Sequence, residues 1–152
     1  MVSKRDLIEA VGEAVRAYQR STDALDDAVA RRLKVNRTDL RCLDWLFDGP
    51  LGAGTLAELT SLSTGATTAM LDRLEIRGLV QRVRDSDDRR KVLVEMTDAG
   101  RRRCFGLYGP IMNEGSALLD RYTEANLRLF VDYFEHARAL SEAHAQRIQD
   151  GE

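Results

Sequence analysis

Several residue types are scarce in this sequence. Its 152 residues include two cysteines, two histidines, two prolines and one tryptophan, and its charges nearly balance at a net −2. Each shortage excludes something. Cys42 and Cys104 stand far apart and outside any Cys-x-x-Cys spacing, so they suggest neither a disulfide framework nor a zinc site and fit a reducing compartment. His136 and His144 are about 12 Å apart along a helix axis, too far to share a metal within one chain. No nucleophile motif surrounds either cysteine, so neither catalysis nor a cofactor is expected. Nothing resembles a low-complexity linker or a solenoid repeat. No apolar run approaches the roughly 20 residues that cross a bilayer, and Lys4, Arg5, Asp6 and Glu9 occupy the place of a signal-peptide core. One cytoplasmic subunit spanning residues 1–152, without membrane attachment, is expected.

What remains is helical periodicity with good punctuation. Leu7, Ile8, Val11, Val15, Tyr18, Leu25 and Val29 mark a long amphipathic helix from Lys4 to Leu33. Asn36 can cap a second helix carrying Leu40, Leu43, Leu46 and Phe47, with Cys42 as a small core residue, ending at Gly49-Pro50. Thr55-Leu-Ala-Glu58 has the form of a capping box opening a short helix that ends near Thr60. Ser61 and Leu62 connect it to a helix from Thr64 to Arg77, capped by Ser63. There Met70, Leu71, Leu74 and Ile76 recur at helical spacing; Met70, Leu71 and Leu74 belong to the core with Thr67 beside them, which leaves Thr64, Gly65, Thr68, Ala69, Asp72 and Arg73 exposed. Gly78 stops the helix.

Two β-prone runs follow, Leu79 to Arg84 and Val92 to Met96, and should pair as a hairpin. Their loop sets Asp85, Asp87 and Asp88 beside Arg89, Arg90 and Lys91, so near-cancelling charges can hold the backbone while one guanidinium projects. Thr97 then opens a helix to about Leu119, and Thr123 caps a last one carrying Leu127, Phe130, Val131, Phe134, Ala137 and Leu140. The fold class is therefore mainly α with a small β-hairpin: a winged helix-turn-helix over residues 36–97, flanked by helical segments 1–34 and 98–148. Charge distribution agrees with a nucleic-acid partner. Between Arg73 and Arg103 ten basic residues face six acidic ones, so this segment is +4 and the remainder −6.

The run Gly65-Ala-Thr-Thr-Ala-Met-Leu-Asp-Arg-Leu-Glu75, followed by Gly78-Leu-Val, Asp88-Arg-Arg and Thr97-Asp-Ala-Gly-Arg101, resembles the recognition helix and wing of the multiple-antibiotic-resistance regulator (MarR) family. The resemblance implies a homodimeric transcriptional regulator, a repressor by expectation, that pairs through its terminal helices and presents two winged helices to a near-palindromic operator in double-stranded DNA. It places Ser63, Thr64, Gly65, Thr68 and Ala69 toward the major groove, gives Arg73 and Arg77 phosphate contacts or a bracing role, and sends Arg90 into the minor groove with Asp88 and Arg89 shaping the tip. It also implies a small aromatic or phenolic effector between the dimer helices and the winged region, for which Tyr18, Arg41 and Trp45 are candidate lining residues. Two positions depart from the family pattern. Ala69 stands where many members carry arginine, and Ser63 where some carry an acidic residue that pairs with the wing arginine. Base readout by the helix is then weaker or differently targeted, and the wing must be braced from within its own loop.

Two other readings stay open on the sequence. One is a thiol sensor, since Arg101, Arg102 and Arg103 could lower the Cys104 pKa. The other is a fold relative that acts by protein association without operator binding.

Overall fold

The computed structural model describes residues 2–86 and 88–151. Asp87, one of the three wing acids, lies outside the described residues. The chain divides into two compact units, one ending at Leu107 and one beginning at Tyr108.

The first unit contains four helices, the start of a fifth and a small sheet. Helix α1 (Lys4–Leu33) opens with a reciprocal capping box between Ser3 and Asp6, and α2 (Arg37–Phe47) with another between Asn36 and Asp39, satisfying amides that would otherwise lack partners. Strand β1 (Leu51–Gly52) leads directly into α3 (Ala53–Thr60). The sequence reading misses β1 and starts α3 too late. Gly52 is the N-cap and supplies no side-chain bond, so Thr55 lies inside the helix and does not cap it. Ser61, with φ of 57°, makes the turn, and Ser63 caps α4 (Thr64–Ile76) by accepting the Ala66 N–H. Gly78, at φ +65°, ends the helix with the Leu79 N–H bonded back to the Leu74 carbonyl, closing a Schellman-type cap.

Strands β2 (Val80–Arg84) and β3 (Val92–Met96) pair antiparallel with Arg82 opposite Val94, and β1 adds to the far edge of β3 through Leu51 and Gly52. The hairpin expected from the sequence is therefore present, with a third, very short strand beside it. Leu33, Leu46, Leu56, Met70, Leu71, Leu74, Leu79 and Val94 are fully buried and bind α1 through α4 to the sheet. Thr67 is buried with them. Ile76 is not: it is 84% exposed, because α4 ends there and its last apolar position turns away from the core.

Helix α5 (Asp98–Leu119) begins in the first unit and continues into the second, where α6 (Glu124–Asp150) follows. Thr123 caps α6 in a capping box with Asn126. No residue of α6 is buried. Tyr122 meets Phe130 edge-on at 5.1 Å between ring centres.

Candidate nucleic-acid interface

The N-terminal turn of α4 is the most open part of the helix-turn-helix. Thr64, Gly65, Thr68 and Ala69 are exposed there, as is the capping residue Ser63. The two threonines at 67 and 68 behave differently. Thr67 is buried and its hydroxyl donates to the Ser63 carbonyl at 3.0 Å, whereas Thr68 is exposed and donates to the Thr64 carbonyl at 3.0 Å, leaving its oxygen free to accept. A side chain at Gly65 would meet nothing in the protein within 4 Å. The fold thus does not need glycine at this position, and the bare backbone can be approached closely from outside.

The arginines expected along this surface divide into engaged and open groups. Arg73 is half-buried and donates to the Asp39 carboxylate at 2.7 Å; Asp39 is itself buried and also caps α2. Arg77 donates from Nε to the Lys34 carbonyl at 2.6 Å and so holds the end of α1. Both bonds are made within the protein, as a bracing role would use them. Arg103 donates to the Arg77 carbonyl at 3.2 Å, and Arg101 donates to the Phe47 and Leu46 carbonyls at the end of α2. Arg82, in mid-strand, donates from one guanidinium nitrogen to Asp72 at 2.6 Å and from another to Glu75, and the Asp72 and Glu75 carboxylates hold it more firmly protonated. Asp72, a candidate for base contact on exposure alone, is occupied by that pairing.

The wing tip is braced from inside, as the serine at position 63 requires. The Asp88 carboxylate accepts the Arg90 backbone N–H at 3.1 Å, Lys91 N–H donates to the Asp88 carbonyl at 2.8 Å, and Asp85 N–H donates to the Lys91 carbonyl at 3.1 Å. Arg84 reaches the Arg89 carbonyl at 3.1 Å. Over this frame the Arg90 side chain is 94% exposed, with one 3.4 Å approach to Asp88. That is the geometry of a cation on a stiff ribbon, suited to a narrow groove of negative potential.

The remaining candidates lie on α1 and α2. Tyr18 lies on α1, and Arg41 and Trp45 on α2, all exposed. A shallow hollow of about 530 Å³ is lined instead by Phe47, Arg101, Arg102 and Phe105, with the Arg101 guanidinium 5.7 Å from the Phe47 ring centre. None of Tyr18, Arg41 or Trp45 lines it. Both thiols are buried. Burial and the Asp39 carboxylate push Cys42 up to about 12; burial also raises Cys104 and outweighs the lowering by Arg103. The thiolate that the Arg101–Arg103 run suggested is thus disfavoured, since desolvation penalises the charged form more than one neighbouring guanidinium helps it.

The relatives agree with this geometry. The family model for the MarR family matches residues 35–92, which cover α2 through the wing. The transcriptional regulator YcgE of Bacillus subtilis is 32% identical over 148 residues, spanning 97% of this chain and 96% of its own. The chain belongs to the MarR family. The repressor NicR of Pseudomonas putida is 36% identical over 97 residues, covering 62% of this chain and 61% of NicR. Among solved structures, the transcriptional regulator BldR of Sulfolobus solfataricus superposes with a TM-score of 0.53 at 26% identity, covering 90% of this chain and 99% of that one. This MarR-family member is accordingly a DNA-binding winged helix-turn-helix transcriptional regulator, and its relatives are regulators, not enzymes. No helix among the described residues is long and apolar enough to cross a membrane.

Proposed function

We propose that this chain acts in the cytoplasm as a homodimeric repressor on a near-palindromic operator in double-stranded DNA, released by a small aromatic or phenolic ligand. The observation that carries the reading is the pairing of two open elements: the bare N-terminal turn of α4 and, beyond it, Arg90 exposed on a wing braced by Asp88. In this reading Ser63, Thr64, Gly65, Thr68 and Ala69 face base edges and backbone in the major groove. Arg73 and Arg77 hold the helix at its working angle, with Arg73 still exposed enough to reach a phosphate. Arg90 enters the minor groove, and Asp88 and Arg89 shape the tip.

The second copy is the partner that the flanking helices require. Residues 36–97 then form the DNA-binding region, and 1–34 with 98–148 the dimer. Leu129, Val131, Tyr133, Phe134 and Leu140 on α6 and Leu7, Ile8 and Val11 on α1 are exposed in the single chain, more apolar surface than a free monomer keeps. The repressing sign follows NicR, whose name states it. The effector reading rests on the family resemblance, with Tyr18, Trp45 and Arg41 as its candidate contacts by position and chemistry.

Selection of bound sequences from a random duplex pool should return a near-palindrome with A·T-rich flanks. Titrations at several salt concentrations should then show Arg90→Ala without the flank preference, and with the slope of log affinity against log salt reduced by about 0.9 for each phosphate no longer neutralised. Equal affinities of native and Arg90→Ala protein for A·T and G·C flanks would rule out the wing contact.

A further inference from the structure

Arg82 ties the hairpin to the recognition helix by two ion pairs. It lies mid-way along β2, opposite Val94, and its guanidinium spans Asp72 and Glu75, which are three residues apart and hence on one face of α4. Toward the hairpin base Val80 and Met96 are buried, and level with Arg82 the buried Val94 is held from the far edge by Leu51 of β1. One residue further out, Gly52 of β1 still pairs with Leu93, opposite Val83, and both of these hairpin residues are half-buried; past that pair β1 has ended, and Arg84 and Val92 are exposed. The projecting arm therefore begins one residue beyond the level at which Arg82 ties β2 to α4. Two strand residues advance about 7 Å, so a small rotation at this level becomes a larger displacement at the tip. From Arg84 the support continues to the Arg89 carbonyl, one residue before Arg90.

We infer that Arg82 is a positioning residue for DNA recognition, locking the wing to the recognition helix so that the major-groove and minor-groove contacts are read in one fixed register. The role needs arginine: a planar fork can serve two carboxylates at once, whereas a lysine is a single point of attachment. It also makes specificity cooperative between two parts of the site. A duplex whose narrow groove lies at the wrong distance from the bases read by α4 is rejected, although each half of the recognition alone could form.

The inference rests on the proposed wing contact, and one set of titrations separates the two. Native protein, Arg90→Ala, Arg82→Gln and the double variant are measured on the selected operator with A·T and with G·C flanks. Arg82→Gln should bring the ratio of A·T to G·C affinity close to one, as Arg90→Ala does, and adding Arg90→Ala to it should weaken binding by no more than about twofold. The paired variant Asp72→Asn with Glu75→Gln releases the arginine without uncovering negative charge and should erase the same preference. If uncovered carboxylates merely repelled phosphate, that variant would keep the preference and bind at least as well as native protein, which would overturn the inference. It would equally be overturned by retained flank preference in Arg82→Gln or by effects that multiply in the double variant. If Arg90→Ala alone leaves both flanks unchanged, the wing contact itself fails and the role of Arg82 falls with it. Hydrogen exchange of free protein supplies a second measure: peptides covering 83–93 should exchange faster in both the Arg82 and the carboxylate variants, with those of α4 unchanged. Unaltered hairpin exchange also rejects the role.

Discussion

Gly100 stands against the backbone of Leu79 with no room for a side chain between them: a Cβ there would overlap the Leu79 carbonyl oxygen and lie 3.0 Å from its Cα. Thr97 builds the same joint from the other side. Its hydroxyl accepts the Gly100 N–H at 2.9 Å and donates to the Gly78 carbonyl at 2.7 Å, while its own N–H donates to the Leu79 carbonyl at 3.0 Å. Helix α5 is thereby fastened to the point where α4 becomes β2. Gly100→Ala should force the two backbones apart and destabilise the protein by about 2 kcal/mol, lowering its melting temperature by roughly 5 °C. A melting curve coincident with that of native protein would show that α5 can shift freely.

The Asp39–Arg73 pair calls for a different comparison. Asp39 is 2% exposed, so Arg73→Ala would strand a buried carboxylate and should cost about 3 kcal/mol in urea unfolding. Asp39→Asn keeps an oxygen for the Asp39 side of the α2 cap and should cost less than Asp39→Ala, which removes pair and cap together, by about 1 kcal/mol. Equal destabilisation by Asn and Ala at position 39 would mean that the capping bond contributes nothing.

Thiol chemistry gives a prediction with a definite pH sense. With Cys42 pushed up to about 12, its thiolate is about one part in ten thousand at pH 8, so alkylation of the folded protein should be slow and should accelerate sharply in urea. The folded state holds this proton more tightly than the unfolded one. Stability from the neutral thiol is therefore complete below the ordinary value of 9 and is lost as pH rises from there toward 12. Unfolding titrations from pH 7 to 10 should show this decline, and Cys42→Ala should flatten its upper part. Rapid modification of either cysteine by peroxide in folded protein would revive the thiol-sensor reading.

Dimerisation is checked on α6. Phe134 is 57% exposed in the single chain, so Phe134→Asp should leave the protomer helical. Placed in a subunit interface, the same charge would be buried without a partner, and sedimentation should report monomer with operator binding abolished. A dimer that binds normally would put the interface elsewhere.

Local signals carried most of this fold. Asn36, Ser63 and Thr123 each cap the helix that follows, and capping depends on residues three apart. The hairpin strands likewise follow from alternation around a charged loop, off by one residue at Leu79. What escaped was set by partners far along the chain. Strand β1 is two residues long and exists because Leu51 and Gly52 meet Val94 and Leu93. Thr55-x-x-Glu58 has the spacing of a cap, yet β1 delivers the chain to α3 three residues earlier, with Gly52 as the N-cap. At the interface, exposure could be read from the helical stripe, but the engagement of Arg73 with Asp39, 34 residues away, and of Arg82 with Asp72 and Glu75 could not. Nor does a count of arginines reveal which of them end helices.

That last point bears on how the protein would move through a genome. Seven of the ten basic side chains between Arg73 and Arg103 have partners within the protein: Arg73, Arg77, Arg82, Arg84, Arg101 and Arg103, and Arg90 only through its 3.4 Å approach to Asp88. A segment of formal charge +4 thus offers bulk DNA chiefly Arg89, Arg90, Lys91 and Arg102. Few counterions are displaced by so small a set, so random sequence holds the protein weakly and lets it go quickly. In the homodimer proposed above, residence would then be decided by shape and fit at the operator, and a modest change in the spacing of its two reading heads would be enough to return it to solution.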